Sequence, residues 1–87
     1  MTAVSVVKVT IAYFARAREC AGIPEEELEL TGPVSLQQLF SRVMIIHPSL
    51  AEIRQVLSPL VNGKWMPEET ELKDGDRVAL LPPVGGG

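Results

Sequence analysis

The stretch from Ser35 to His47 is the strongest structural signal in this sequence, because its start, its buried side and its end are all specified. The Ser35 hydroxyl can accept from the backbone of Gln38 while the Gln38 side chain reaches back, and Val34 can staple onto Leu39. Leu36, Leu39, Phe40, Val43 and Ile46 then recur at helical spacing on one stripe, and Pro48 forces the end just after His47. A helix with one apolar stripe should pack on a sheet, and the flanking segments supply the strands.

From Val4 to Phe14 the residues alternate, with Val7, Val9, Ile11 and Tyr13 on one face and Lys8, Thr10 and Ala12 on the other. A polar turn through Arg16 to Pro24 leads to a second strand at Glu27-Leu28-Glu29-Leu30, stopped by Thr31-Gly32-Pro33. Beyond the main helix, a second capping box from Ser49 to Glu52 opens a short helical turn carrying Leu50, Ile53 and either Val56 or Leu57. Asn62-Gly63 between Leu60-Val61 and Lys64-Trp65 predicts a tight hairpin needing positive φ. Lys73 to Asp76 makes another turn into the apolar run Arg77 to Leu81, which Pro82 and Pro83 end by removing two backbone donors.

Strand, strand, helix, short helix, strand, strand is an α+β order, with one main helix and a short second helical turn on a mixed sheet. The arrangement resembles the β-grasp, the ubiquitin-like fold, in which the first and last strands lie parallel at the sheet centre. That position explains why Val78 to Leu81 lacks the clean alternation of an edge strand. Residues 1–83 are expected to form the domain and residues 84–87 a flexible glycine tail.

Eighty-seven residues leave room for one domain, which at this size buries about 60% of the unfolded chain's surface. A formal charge of -3 argues against nucleic acid as a partner, since phosphate binding needs clustered Lys and Arg and only Arg16 and Arg18 sit close together. No apolar run approaches the roughly 20 residues of a membrane span, and the first five residues lack the pattern of a signal peptide. A single cysteine, Cys20, cannot form an internal disulfide or ligate an iron-sulfur cluster alone. These features together point to a cytoplasmic protein with no membrane partner.

Side chains offer little for catalysis, because a nucleophile needs an adjacent base and the chain has one His and one Cys. His47, beside Pro48, reads as a cap at the negative pole of a helix, and Cys20 as a partly buried small residue. Glu25, Glu26 and Glu27 alternate in direction along a strand and cannot converge on one metal ion, so they read as a solvated edge. Arg16 and Arg18 suit surface solvation or a weak contact with a partner's carboxylate or phosphate. Trp65 fits a core residue at the sheet edge and an exposed partner anchor equally well.

The tail Val84-Gly85-Gly86-Gly87 is of another kind. Glycines after a Pro-Pro brace have no packing role and cost ordering entropy if fixed. They make an arm slim enough to enter a narrow channel and an unhindered terminal carboxylate. A carboxylate is a poor electrophile until ATP converts it to an acyl-adenylate; a sulfur nucleophile can then displace AMP and leave a thiocarboxylate.

Tyr13-Phe14-Ala15-Arg16-Ala17-Arg18-Glu19, Val61-Asn62 and the series from Asp74 to Gly87 resemble the small subunits of molybdopterin synthase over almost the whole chain. The resemblance implies a subunit that is not itself catalytic and binds no cofactor or metal. An activating enzyme akin to that of ubiquitin, using ATP and Mg, would adenylate Gly87, and a sulfur donor protein would supply the sulfur. The loaded tail, Val84 to Gly87 with Gly86 as the slender position before the last, would enter a large subunit in an assembly of two small and two large subunits. There it would donate sulfur to cyclic pyranopterin monophosphate in molybdenum cofactor synthesis. Gly85 departs from the family, which often has a larger residue there. Because a four-residue tail is small for a stable complex, docking is expected to add an apolar patch on the open sheet, including Phe14 or Trp65, with Arg16 nearby.

Sulfur carriers for thiazole, cysteine or thiolated-RNA synthesis share the fold and the terminal Gly-Gly, and Pro82-Pro83 with Tyr13 to Arg16 favour the molybdopterin branch. A ubiquitin-like protein modifier and a plain binding module are the other two readings, of which the second is least compatible with the glycine end.

Overall fold

The structure, a computed structural model, describes residues 5–82. Val84, Gly85, Gly86 and Gly87, on which the tail reading rests, lie outside the described residues. Five strands form one sheet: β1 Val6–Tyr13, β2 Glu25–Thr31, β3 Ser58–Val61, β4 Lys64–Trp65 and β5 Arg77–Leu81. Their order across the sheet is β2-β1-β5-β3-β4. The first and last strands run parallel at its centre, with Ile11 opposite Val78 and Tyr13 opposite Leu80, as the β-grasp arrangement requires.

Alternation along β1 turns Val7, Val9, Ile11 and Tyr13 into the core, where Val78 and Leu80 of β5 join them. Helix α2, Leu36–Ile46, covers this side with Leu36, Leu39, Phe40 and Val43. Its start is as the sequence predicts: the Gln38 N–H donates to Ser35 Oγ at 3.1 Å and the Ser35 N–H to Gln38 Oε1 at 2.8 Å. Two more free donors of the first turn, the N–H groups of Leu36 and Gln37, go to the carbonyls of Thr70 and Glu68. Ile46, expected on the buried stripe, is exposed instead, because the helix ends there and the next buried residue is Leu50.

Three local readings change. The segment Ala15–Ala21, expected as a polar turn, is a helix, α1, that buries Ala17 and packs Cys20 and Ala21 against the core. Gly22 ends it in the left-handed region, donating its N–H to the Arg18 carbonyl. The helical turn after α2 is a longer 3-10 helix, Pro48–Val56, and the Ser49 to Glu52 capping box does not form. Pro48 takes the first position, where its fixed φ suits a helix start, and this moves the cap to His47.

The hairpin between β3 and β4 is the predicted one, with Asn62 and Gly63 at φ 52° and 83°. The turn Lys73 to Asp76 closes on β1: Asp74 Oδ1 accepts the Lys8 N–H and the Lys8 carbonyl accepts from Gly75, both at 2.8 Å. No helix among the described residues is long and apolar enough to cross a membrane.

Candidate functional site

The buried residues of α1, α2 and the 3-10 helix share one core with the inward residues of β1 and β5, so among the described residues the alternate strand residues form a second, open face. The registers assign it row by row. Ala12 stands opposite Ala79, Ala79 opposite Leu60, and Leu60 opposite Trp65, giving an apolar row across four strands. Trp65 ends the row 67% exposed, which settles its reading as a surface residue on the short edge strand β4.

A second row forms where β5 ends. Leu81 stands opposite Ser58 on one side, and continuing the β1 register beyond Tyr13 brings Phe14 beside it on the other. The Phe14 N–H donates to the Leu80 carbonyl at 3.3 Å, so the ladder does extend this far. Phe14 is 45% exposed. The chain enters its last segment through Pro82, and the root of that segment is therefore flanked by half-exposed apolar side chains.

Charge borders this surface on the β2 side. Glu25, Glu27 and Glu29 point to the open face, while Glu26 and Leu28 point the other way. Arg77 reaches over β1 to Glu25 at 2.9 Å and so helps cover Ala12, which is buried although no helix lies on that face. Arg16 and Arg18 are both exposed on α1. Two positions apart on a helix, they diverge, and one ligand cannot take both.

On the core side, Glu26 departs from the reading of a solvated acidic edge. Its Oε2 accepts from the Tyr13 hydroxyl and meets His47 Nε2, each at 2.5 Å, and all three side chains are largely shielded. The Tyr13 and His47 rings meet edge to face with centroids 5.6 Å apart. His47 does cap α2 through its backbone, yet its side chain ties that helix end to β1 and β2. Burial, and then the hydrogen bond and charge of Glu26, push the Tyr13 phenol well above its ordinary range. A phenol so held keeps its proton at neutral pH and does not act as a base. Sequence reasoning missed this cluster; the signal available was a Glu at a core-facing position of β2, in register with the core-facing Ile11 of β1.

Cys20 is a free, half-buried thiol packed against the core. The described residues thus present an open sheet face on which Phe14, Leu60, Trp65, Ala79 and Leu81 are at least partly exposed.

Residues 11–87 match the ThiS family. A curated relative, the molybdopterin synthase sulfur carrier subunit of Chlamydomonas reinhardtii, is 34% identical over 93% of this chain and 100% of its own length. Among solved structures, a complex of subunits 1 and 2 of the molybdopterin-converting factor from Helicobacter pylori contains a chain 28% identical, with a TM-score of 0.66 over 93% of this chain and 100% of that one. The small archaeal modifier protein 1 of Methanosarcina acetivorans is also 28% identical, with a TM-score of 0.76 over 95% of this chain and 99% of its own.

Proposed function

Because this chain belongs to the ThiS family, we propose that it is the sulfur-carrying small subunit of a molybdopterin synthase, with the Gly87 carboxylate as its working group. The carboxylate attacks ATP on an activating enzyme, releasing pyrophosphate and forming a glycyl-adenylate. Sulfide delivered by a donor protein then displaces AMP and leaves a thiocarboxylate. The large subunit takes up the loaded tail and transfers the sulfur to cyclic pyranopterin monophosphate. The small subunit itself contributes no catalytic side chain; its work is to carry and present, in the cytoplasm.

The observation that carries this reading is the apolar open face, Ala79, Leu60 and Trp65 with Phe14 and Leu81, placed at the root of a glycine segment. One surface beside one arm suits a protein that must be gripped while its end is inside another enzyme. The relative of known complex in Helicobacter pylori supports a large-subunit partner.

The test is to incubate the protein with ATP, Mg, the activating enzyme and a sulfur source, then weigh it intact. Exchange of one oxygen for sulfur at Gly87, together with capture of a large subunit, supports the proposal. The likeness to an archaeal modifier protein favours a second reading, in which Gly87 is joined to lysines of other proteins. Isopeptide conjugates in extracts, absent any loaded thiocarboxylate, would decide for it.

A further inference from the structure

The Tyr13, Glu26 and His47 cluster has no part in the chemistry of the tail, yet it sits one residue from Phe14. Residues 13–17 form an abrupt corner between β1 and α1. Ala15 stands at φ 50°, in the left-handed region that a residue with a Cβ occupies only at a cost of about 1 kcal/mol or more. Such a conformation persists where its surroundings over-determine it. Here they do. The Tyr13 N–H donates to the Pro24 carbonyl at 2.8 Å, the Phe14 N–H to Leu80, and the Phe14 carbonyl accepts from Ala17 and Arg18 at the start of α1. The side chain of Tyr13 is fixed at its far end by Glu26, which His47 in turn holds against the end of α2.

We propose that Tyr13 is a positioning residue: anchored through Glu26 and His47, it holds the strained corner so that Phe14 stands out on the open face as a ready-made apolar contact for the partner protein. The inference rests on the reading of that face as a docking surface. Any buried Tyr hydroxyl needs a hydrogen-bond partner, so the choice of partner is what distinguishes this one. This one spends its hydroxyl on a carboxylate shared with a helix end 34 residues along the chain, which locks β1, β2 and α2 together at the level of the corner. Fixing an aromatic side chain before binding lowers the ordering cost that association would otherwise carry.

Tyr13→Phe removes the hydroxyl and keeps the ring; Glu26→Gln removes the shared charge and serves as the second variant should the first lose stability. Two measurements are combined. In the free protein, the NMR coupling between the amide and α protons of Ala15 reports its φ, and the Phe14 ring resonances report its surroundings. Both are expected to change in Tyr13→Phe while the rest of the spectrum stays native. In binding to the cognate large subunit, Tyr13→Phe is expected to weaken affinity about fivefold, the scale of one hydrogen bond. In a Phe14→Ala background the same change should have no further effect, because there is no longer a ring to position. If the two losses simply multiply, or if Tyr13→Phe binds as the wild type does while Phe14→Ala is weakened, the positioning role is overturned and the docking face stands. Wild-type binding by Phe14→Ala overturns the docking use of Phe14 itself, and with it the purpose assigned to the anchor.

Discussion

Asn62 and Asp76 are joined side chain to side chain, Asn62 Nδ2 donating to Asp76 Oδ1 at 2.9 Å, and this pair fastens the β3–β4 hairpin to the turn that launches β5. Asn62 Oδ1 also accepts the Arg77 N–H, and the Asn62 N–H donates to the Arg77 carbonyl. Asp76 in turn accepts the Lys73 N–H through Oδ2. One Asn therefore does three things: it adopts the positive φ of the turn, holds the start of β5 and braces its Asp. Motif residues that mark the family in the sequence are here the joinery of the sheet.

Asn62→Ala is accordingly expected to destabilise the protein by about 1–2 kcal/mol, through lost hydrogen bonds and an unfavourable φ. Asn62→Gly keeps the φ and loses only the bonds, so it should fall between Asn62→Ala and the wild type. Urea unfolding of the three proteins separates the two contributions.

Ser35→Ala removes the side-chain half of the α2 capping box and is expected to cost about 1 kcal/mol in thermal or urea unfolding. Sulfur loading of the folded protein should be unchanged.

Tyr13 is the chain's one tyrosine, so its ionisation can be followed alone in the near ultraviolet. Its folded pKa is raised by burial and Glu26, so the folded state keeps a proton that the unfolded state loses above pH about 10. Stability from this group is complete below that pH and falls above it by about 1.4 kcal/mol per pH unit. Tyrosinate absorbance should therefore appear only as the protein unfolds, and Tyr13→Phe should flatten the alkaline decline. A titration near pH 10 in the native protein would contradict the buried arrangement.

Trp65→Ala, at an exposed site, should leave the stability read by urea unfolding within about 0.5 kcal/mol of native. Large-subunit affinity, read by calorimetry, is expected to fall about tenfold if Trp65 anchors the apolar row. Unchanged affinity would place the contact away from β4.

Deleting Gly87 shortens the arm by about 3.3–3.6 Å, well beyond the tolerance of a positioned reaction. We expect native melting, weakened but measurable partner binding and no thiocarboxylate by intact mass. Loading of the shortened chain, or sulfur on Cys20, would overturn Gly87 as the carrier residue.

The elements that were legible in the sequence carry their own local chemistry. Ser35 and Gln38 define a helix start within four residues, and Asn62-Gly63 defines a turn within two. Helix α1 was not legible, because its buried stripe is made of Ala17, Cys20 and Ala21, too small to stand out as a periodic apolar pattern. Only Gly22 marked its end. The open face was half legible: Phe14 and Trp65 were named from their type, but the row that joins Ala12 to Trp65 depends on registers between strands up to 67 residues apart, as at Ala12 and Ala79. Glu26 was misread because the second strand was expected to begin at Glu27, so the inward side that Leu28 and Leu30 define was not carried back to it.

The parallel pairing of β1 with β5 also sets an order of events during synthesis. The strand made first finds its central neighbour only when residues 77–81 have left the ribosome, so the sheet cannot close on a chain that has not yet released them. Ala12 and Phe14 have no Ala79 or Leu81 beside them until then. A chain that stops before β5 consequently lacks the rows that β5 completes, whereas one that stops just after it keeps them.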